Sequence, residues 1–387
     1  MKKRTKRYCT GCNLCKVLGE GSLEIDNKGF FHPKELNEKF ENGVCPSCGV
    51  QSKRLSRESI WGKKEEVYLG WSSDPMIRKS ASSGGTITSI ACYLLINNIV
   101  DGIIQICESN KIPYKTKTVI NYSIEDVLHC KGSRYSISHP LDIFEELDKN
   151  KKYCLIGKPC DITVFKNYLS LDPDINNVIT LSLSFFCMGL PSDKAQLKLL
   201  NKLDTNLEKI KEINYRGNGW PGYATALNLD NSKKSITYDE SWGKILGRDL
   251  MPYCRYCIDG IGEDADISCG DAWYEKDGKP DFNEHDGRNV IFARTKKGKD
   301  LLEQMGQAKK IYIEKIDNYE EYLRIIQHSQ FMRRATLKSR ILALKLMMRP
   351  YPHYSNDVLN SYSRQVNFKE NTRVFLGMLK RIFKGKY

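Results

Sequence analysis

Apolar positions along the chain fall into two regimes. Residues 9–48 carry few of them and many cysteines, the pattern of a small module that needs a metal centre to hold it together. From Val67 onward a regular periodicity sets in. TITSIACYLLINN (86–98) repeats its apolar residues at helical spacing, and VDGIIQIC (100–107), after a glycine turn, reads as a buried strand. The same reasoning predicts a helix over 141–149, a strand in KYCLIG (152–157) and a helix over 161–170. VITLSLSFF (178–186) reads as a strand and 193–203 as a helix. Strands alternating with helices point to an α/β layer architecture. Beyond Lys209 the elements mix, with short strands at 223–229 and 289–295 and helices through most of 296–349. In 333–349, Leu337, Ile341, Leu344 and Met348 share one helical face, as Phe375, Leu379, Ile382 and Phe383 do in RVFLGMLKRIFKGKY (373–387).

Charge alters the picture only at the ends. Of a net +14, residues 1–8 hold +5 and residues 331–387 hold +11, so the stretch between them is about neutral. The body therefore carries no basic footprint for nucleic acid. The segment 333–349 reads as an ordinary amphipathic helix packed on the body. The last fifteen residues, apolar on one face and cationic around it, read as a peripheral contact with an anionic membrane surface. No apolar run reaches the ~18–20 residues of a membrane span. The basic MKKRTKR start runs into cysteines, unlike a signal peptide, so the expected compartment is the cytoplasm. In that reducing setting, 14 cysteines argue for metal, cluster or catalytic thiols over disulfides.

CTGCNLC places Cys9, Cys12 and Cys15 with two residues between neighbours, the way a short loop wraps one corner of an iron–sulfur cube. Gly19 stands where a ferredoxin-type loop would place its fourth cysteine, and the next thiols are Cys45 and Cys48 in VCPSCG. Further cysteines recur in loops after predicted strands: Cys160 in GKPC, Cys187 in FFCMG, and Cys254 and Cys257 in CRYCIDG. Those four can converge on a second cube, with zinc the rival ligand for the CxxC. Cys92, Cys107, Cys130 and Cys154 read as packing residues, and Cys269 is ambiguous.

Three glycine-rich turns carry the remaining candidate chemistry. SASSGGTITS (80–89) opens a helix, where the N–H groups of Gly84, Gly85 and Thr86 either cradle a phosphate or simply cap the helix. KGSRYSIS (131–138) offers Arg134 to a pyrophosphate and Tyr135 for stacking. RGNGWPG (216–222) either lines a polar pocket with Arg216, Asn218 and Trp220 or makes a tight turn over a packed tryptophan. Neither of the first two matches the dinucleotide fingerprint.

Taken in order, CTGC-x2-C, RKSASSGG-x-xT, GSRY, GKPCD, FFCMG, YRGNGWPG, C-x2-C-x2-G and ADISCGDAW resemble the coenzyme F420 hydrogenase/dehydrogenase beta-subunit family. The resemblance covers roughly residues 8–350. It looks closest to a bacterial branch associated with surface-polysaccharide biosynthesis, and more distantly it is similar to 7-hydroxymethyl chlorophyll a reductase. It implies a mixed α/β (α+β) fold in three parts: an iron–sulfur module (1–60), a core binding FAD and a [4Fe–4S] cluster (61–310), and a helical basic region (311–387). It implies one cluster on Cys160, Cys187, Cys254 and Cys257. The first module departs from the family, whose members nearer the hydrogenase subunits carry a fuller ferredoxin insert. Here Cys9, Cys12 and Cys15 need a fourth thiolate from Cys45 or Cys48, and Pro46, stiffening the exit of the chain, favours Cys45, leaving Cys48 as a spare or as a sign of zinc. Flavin contacts are implied at Ser83, Gly84, Gly85, Thr86, Ser133, Arg134, Tyr135 and Lys158.

The function expected on this basis is an FAD/[4Fe–4S] oxidoreductase. Electrons from reduced F420 or ferredoxin would pass through the clusters to FAD and on to an organic substrate, with a lipid-linked sugar as one candidate. Lys158 and Asp271, each at a predicted strand end beside a cofactor motif, are the acid–base candidates. Arg216, Asn218 and Trp220 are the candidate substrate wall. The alternative is an electron-transfer subunit serving a partner enzyme, and a third reading is a zinc-stabilised binding protein.

Overall fold

A computed structural model describes residues 8–385. The basic segment 1–7 and the last two residues of the expected membrane-contacting tail lie outside the described residues. The fold is mixed α/β. Its centre is an eight-stranded sheet whose strands are β1 (Glu66–Ser72), β2 (Gly102–Glu108), β3 (Thr116–Asn121), β4 (Tyr153–Gly157), β5 (Ile179–Phe185), β6 (Ile267–Asp271), β7 (Asn289–Ala293) and β8 (Ile311–Lys315). They run in the order β8-β1-β7-β6-β5-β4-β2-β3.

β2, β4, β5 and β6 are mutually parallel, while β3 pairs antiparallel to β2, β7 to β6, β1 to β7 and β8 to β1. The parallel strands are covered on both faces, which explains their near-continuous apolar runs; β5 and β6 expose almost nothing. Four parallel strands end on one edge, where ligands of open α/β sheets gather. Helices α1 (Thr86–Ile96) and α2 (Pro159–Tyr168) start at that edge.

The expected elements over 86–107, 152–170, 178–203, 224–228 and 289–293 are present. Three segments differ. Over 141–149 there is one short 3-10 turn, Phe144–Glu146, in place of a helix. Leu141, Phe144 and Leu147 are all buried, and three-residue spacing suits a 3-10 turn, whose side chains eclipse every third residue. The C-terminal stretch breaks at Thr336 into α3 (His328–Ala335) and α4 (Leu337–Leu346). Leu337, Ile341 and Leu344 are buried as expected, but Met348 lies past the helix end at φ 48° and is 92% exposed. The strands β1, β3 and β8 went unread in the sequence. β8 begins one residue after the expected boundary at 310, so the central sheet extends into the C-terminal region.

The last helix, α5 (Phe368–Phe383), packs on the body. Met378 and Ile382 are buried, Phe375 and Leu379 lean on the same apolar cluster, and Phe383 is exposed. The face expected to meet a membrane is thus largely covered by the protein itself. No helix among the described residues is long and apolar enough to cross a membrane.

The N-terminal module is not held by cysteines alone. Leu14 of the short helix Leu14–Val17, Phe40 of the helix Glu38–Gly43 and Val44 just past it enter a cluster shared with Ile162, Phe165 and Ile175, and Leu23 and Leu36 of the module's hairpin (Gly21–Ile25 with Phe31–Leu36) pack against it. Each such fully buried side chain contributes roughly 1.5–3 kcal/mol. Asn167 donates to the Val44 carbonyl at 3.2 Å, and His139 Nδ1 lies 2.5 Å from the Gly11 carbonyl.

Candidate functional site

A cavity of about 260 Å³ opens at the carboxyl ends of the parallel strands. β4 ends at Gly157 and passes directly into α2, so Lys158 sits at the helix start as a buried cation. Its Nζ is 2.7 Å from Asp161 Oδ2 and donates to the carbonyl and hydroxyl of Ser138 at 2.9 and 3.1 Å. Burial opposes the charge, but Asp161 and the thiols of Cys160 and Cys187 outweigh it and push the ammonium up to about 12. Lys158 is thus held as one half of a buried ion pair at the cavity wall.

Asp271, at the end of β6, is engaged in the same way. Arg216 grips it with two nitrogens, each at 3.0 Å, and Trp220 Nε1 donates to Oδ1 at 2.9 Å. Trp220 is buried and stacked on Trp273 with ring centroids 4.6 Å apart. Asn218 is exposed in the turn. Of the three candidates in RGNGWPG, only Arg216 reaches the cavity wall; Trp220 acts from behind by fixing Asp271.

The SSGG turn lies beside Asp271, joined to it through Asn289, which pairs with Asp271 between β7 and β6. Ser83, Gly85 and Thr86 line the cavity. Gly84 stands behind them, where a Cβ would lie 2.7 Å from Asn289 Oδ1 and 2.9 Å from the Arg288 Cα. Close packing onto β7, and not approach to a phosphate, therefore requires glycine there. Asn289 organises the turn: its Oδ1 accepts from the Thr86 hydroxyl at 3.0 Å, and its Nδ2 donates to Ser83 Oγ at 3.1 Å. One of the three N–H groups expected at a phosphate, that of Thr86, points at the same Oδ1 at 3.4 Å.

The GSRY turn is tied to this one where the Ser133 N–H donates to Ser82 Oγ. Arg134 is mostly buried, paired with Glu108 at 2.9 Å and donating to the Ile213 carbonyl at 3.1 Å, while its Nε is buried with no partner. Tyr135 packs beside Trp242, centroids 4.7 Å apart. Asp161 Oδ1 is likewise buried without a partner in the cavity wall. Asn289 and Asp161 escaped the sequence reading. The Asp of GKPCD was the only signal for either, and it sat inside a motif already assigned to its cysteine.

Eight cysteines form two groups. Cys160 lies in the first turn of α2, Cys187 two residues past β5, and Cys254 in the 3-10 turn Pro252–Arg255 with Cys257 just beyond. Burial raises all four thiols, Cys254 to about 11 and Cys257 to about 12. Mutual repulsion adds to this, linking Cys187 to the other three and Cys160 to Cys257. The loop carrying Cys257 is fixed by Asp259, whose carboxylate accepts from the N–H groups of Ile261, Gly262 and Glu263 at 2.9–3.1 Å. Cys187 also lines the cavity.

The second group is Cys9, Cys12, Cys15 and Cys45. Burial raises the first three, and repulsion from one another and from Cys45 raises them further. Cys45 itself is lowered, to about 7, chiefly by a hydrogen bond from Cys48. The structure thus brings Cys45 to the three thiols of CTGCNLC, with Cys48 as its neighbour. Two buried sets of four mutually repelling sulfurs suit a polynuclear metal centre, whose positive charge would offset that repulsion. Among the described residues no group of three or more His, Cys, Asp or Glu side chains is arranged to hold a single metal ion. A small gap bounded by Pro46, Cys160 and Cys257 separates the two groups. Cys269, on β6 in the cavity wall, belongs to neither.

Comparison with known proteins fits this layout. Residues 67–145 match the coenzyme F420 hydrogenase/dehydrogenase beta-subunit N-terminal family and residues 150–319 its C-terminal counterpart. The coenzyme F420 hydrogenase subunit beta of Methanosarcina barkeri is 26% identical over 61% of this chain and 80% of that protein. The F420-dependent formate dehydrogenase 1 subunit beta of Methanococcus maripaludis is 27% identical over 61% of this chain and 58% of its own length. The coenzyme F420-dependent sulfite reductase of Methanocaldococcus jannaschii is 23% identical over 81% of this chain and 48% of its own. A solved chain of the F420-reducing [NiFe] hydrogenase complex from Methanosarcina barkeri shares the fold, with a TM-score of 0.59 at 21% identity over 79% of this chain and all of that one.

Proposed function

The chain belongs to the coenzyme F420 hydrogenase/dehydrogenase beta-subunit family, and from that premise we propose that it is an electron-transfer oxidoreductase subunit. It would pass reducing equivalents between a carrier such as F420 or ferredoxin and a partner enzyme. The observation that carries this reading is the shared position of Cys187, at once a member of one thiol quartet and part of the cavity wall. In this proposal Cys160, Cys187, Cys254 and Cys257 hold one [4Fe–4S] cluster and Cys9, Cys12, Cys15 and Cys45 the other. FAD would occupy the cavity, with the unpartnered Arg134 Nε and Asp161 Oδ1 as buried groups awaiting a ligand.

When bound, the clusters supply one-electron transfer and the flavin pairs two electrons for a hydride-type carrier. The protein's own groups do the rest. Arg134 and Lys158 place two positive charges at the cavity wall for an anionic ligand. Tyr135 and Trp242 present aromatic surface, and Ser83, Gly85, Thr86 and Ser133 present small polar turns. Arg216, fixed by Asp271, adds a third cation next to Tyr135. The named relatives are hydrogenase and formate dehydrogenase beta subunits together with a sulfite reductase. This supports the subunit reading over independent reduction of an organic substrate, and nothing supports a lipid-linked sugar.

Anaerobic purification of the full chain tests the proposal. It should yield about eight irons per chain, four for each cube, one flavin, and the matching visible absorption. Chemical reduction of the clusters should then bleach the flavin without an organic substrate present. A colourless, iron-free protein would refute the reading.

A further inference from the structure

Helix α3 was read from sequence only as part of a basic amphipathic segment, yet it lies against the quartet at the sheet edge. Gln330 and Arg333, one turn apart, both donate to the Cys187 carbonyl, at 3.1 and 3.0 Å. Arg333 also donates to the Cys254 carbonyl at 2.5 Å, so one guanidinium joins the two loops that supply those cysteines. Gln330 reaches the Gly260 carbonyl as well, at 3.1 Å. Gly260 has to be glycine for this contact, since a Cβ there would run into Gln330 Oε1 and lie 3.0 Å from the Cys187 carbonyl. Arg333 is half-buried, and its charge acts on Cys187, Cys254 and Cys257 together. Lys158 faces the same quartet from the cavity side. Gln330 is neutral, so along α3 the charge at the quartet comes from Arg333.

We propose that Arg333 is a positioning residue that sets the reduction potential of the cluster held by Cys160, Cys187, Cys254 and Cys257, keeping it more positive than the four thiolates alone would. The inference rests on the reading of that quartet as a cluster site. A cluster that accepts one electron gains one negative charge, and a fixed cation beside it stabilises the reduced form. Net charge and hydrogen bonding around the sulfurs are known levers on such potentials. The two carbonyl contacts hold the guanidinium at one distance from the sulfurs, so the effect is constant and does not depend on a mobile side chain. Being always protonated, Arg333 exerts it at every physiological pH.

The experiment is an EPR-monitored redox titration of the full chain, purified anaerobically, as wild type, Arg333→Met and Arg333→Lys. In Arg333→Met one cluster should become harder to reduce, its midpoint moving negative, while the other cluster's midpoint stays put as an internal control. In Arg333→Lys, which keeps the charge and loses the two-point clamp, the same midpoint should move less. If the methionine chain fails to retain iron, Arg333→Gln, which removes the charge and keeps an amide donor, decides. A wild-type midpoint in an iron-replete neutral variant overturns the role of Arg333. A wild-type chain that binds no iron at the quartet overturns the cluster reading itself, a distinct result seen before any variant is compared.

Discussion

Replacing Asp271 by alanine removes the carboxylate that holds Arg216 and Trp220 together. Arg216 is 4% exposed and Asp271 20%, so the guanidinium would be left charged and nearly dry. Breaking one side of a buried ion pair costs roughly 3–5 kcal/mol, and the partial exposure of Asp271 lowers that to about 2–4 kcal/mol. The orphaned Trp220 Nε1–H adds about 1 kcal/mol or more. For a chain of this length, 2–4 kcal/mol corresponds to a fall in Tm of ~3–5 °C. Equilibrium urea unfolding of wild type, Asp271→Ala, Arg216→Met and the double variant isolates the pair, because the tryptophan bond is lost equally in both arms of the cycle. The double variant should be more stable than the sum of the two single effects predicts, by at least ~1 kcal/mol. Additive effects would mean that the bidentate pair does not hold the turn on β6, and the account of Arg216 as a fixed cation in the cavity wall would fall with it.

Cys45→Ser should lose about half the iron, four of about eight atoms per chain, whereas Cys48→Ser should keep nearly all of it; elemental analysis of anaerobically purified chains decides, and the reverse pattern would exchange the two roles. Arg134→Gln should lower flavin content while leaving iron unchanged, read as the flavin-to-iron ratio. Gly84→Val, whose new side chain meets the β7 backbone, should reduce folded yield as a whole, and a well-folded Gly84→Val chain deficient in flavin alone would return the glycine to the ligand. The Asp26 carboxyl lies below its ordinary value: burial opposes this, but hydrogen bonds from His32 and from the N–H groups of Lys28 and Phe30 outweigh it. Its folded-state pKa is depressed, so its contribution is complete above about pH 4 and is lost as pH falls through the folded value. The stability difference between wild type and Asp26→Asn, followed by urea unfolding, should therefore be flat from pH 5 to 7 and shrink below pH 4.

Much of the scaffold was legible along the chain because its signals are local. The runs in β2, β4 and β5 are apolar because both faces of a parallel sheet are covered, and the periods of α1 and α2 survive in any context. The spacing of CTGCNLC is equally local, since three thiols on one short loop need no tertiary partner to be recognised. The outer strands were not legible: β3 and β8 are the sheet edges and leave residues exposed, and β1, beside β8, exposes none, so none of the three alternates cleanly. Nor could periodicity tell the 3-10 turn at Phe144 from a helix, because both bury every third residue over so few positions.

What the tertiary structure alone decided is which of the named residues meet. Cys160 and Cys257 are nearly a hundred positions apart and come together because parallel strands end on one edge and a distant loop folds back over it. The same geometry divides RGNGWPG, turning Arg216 to the cavity, Asn218 to solvent and Trp220 onto Asp271. It pairs Asp271 with Arg216 from a separate loop, whereas the partner of Lys158, Asp161, stands one helical turn along in the same motif. It also brings Asn289 to the SSGG turn and Arg333 to the quartet of Cys160, Cys187, Cys254 and Cys257, across some two hundred and one hundred and fifty residues. Spacing along a chain encodes what one loop can do, and the charges and hydrogen bonds that tune a site are set by segments that become neighbours only when the sheet has formed.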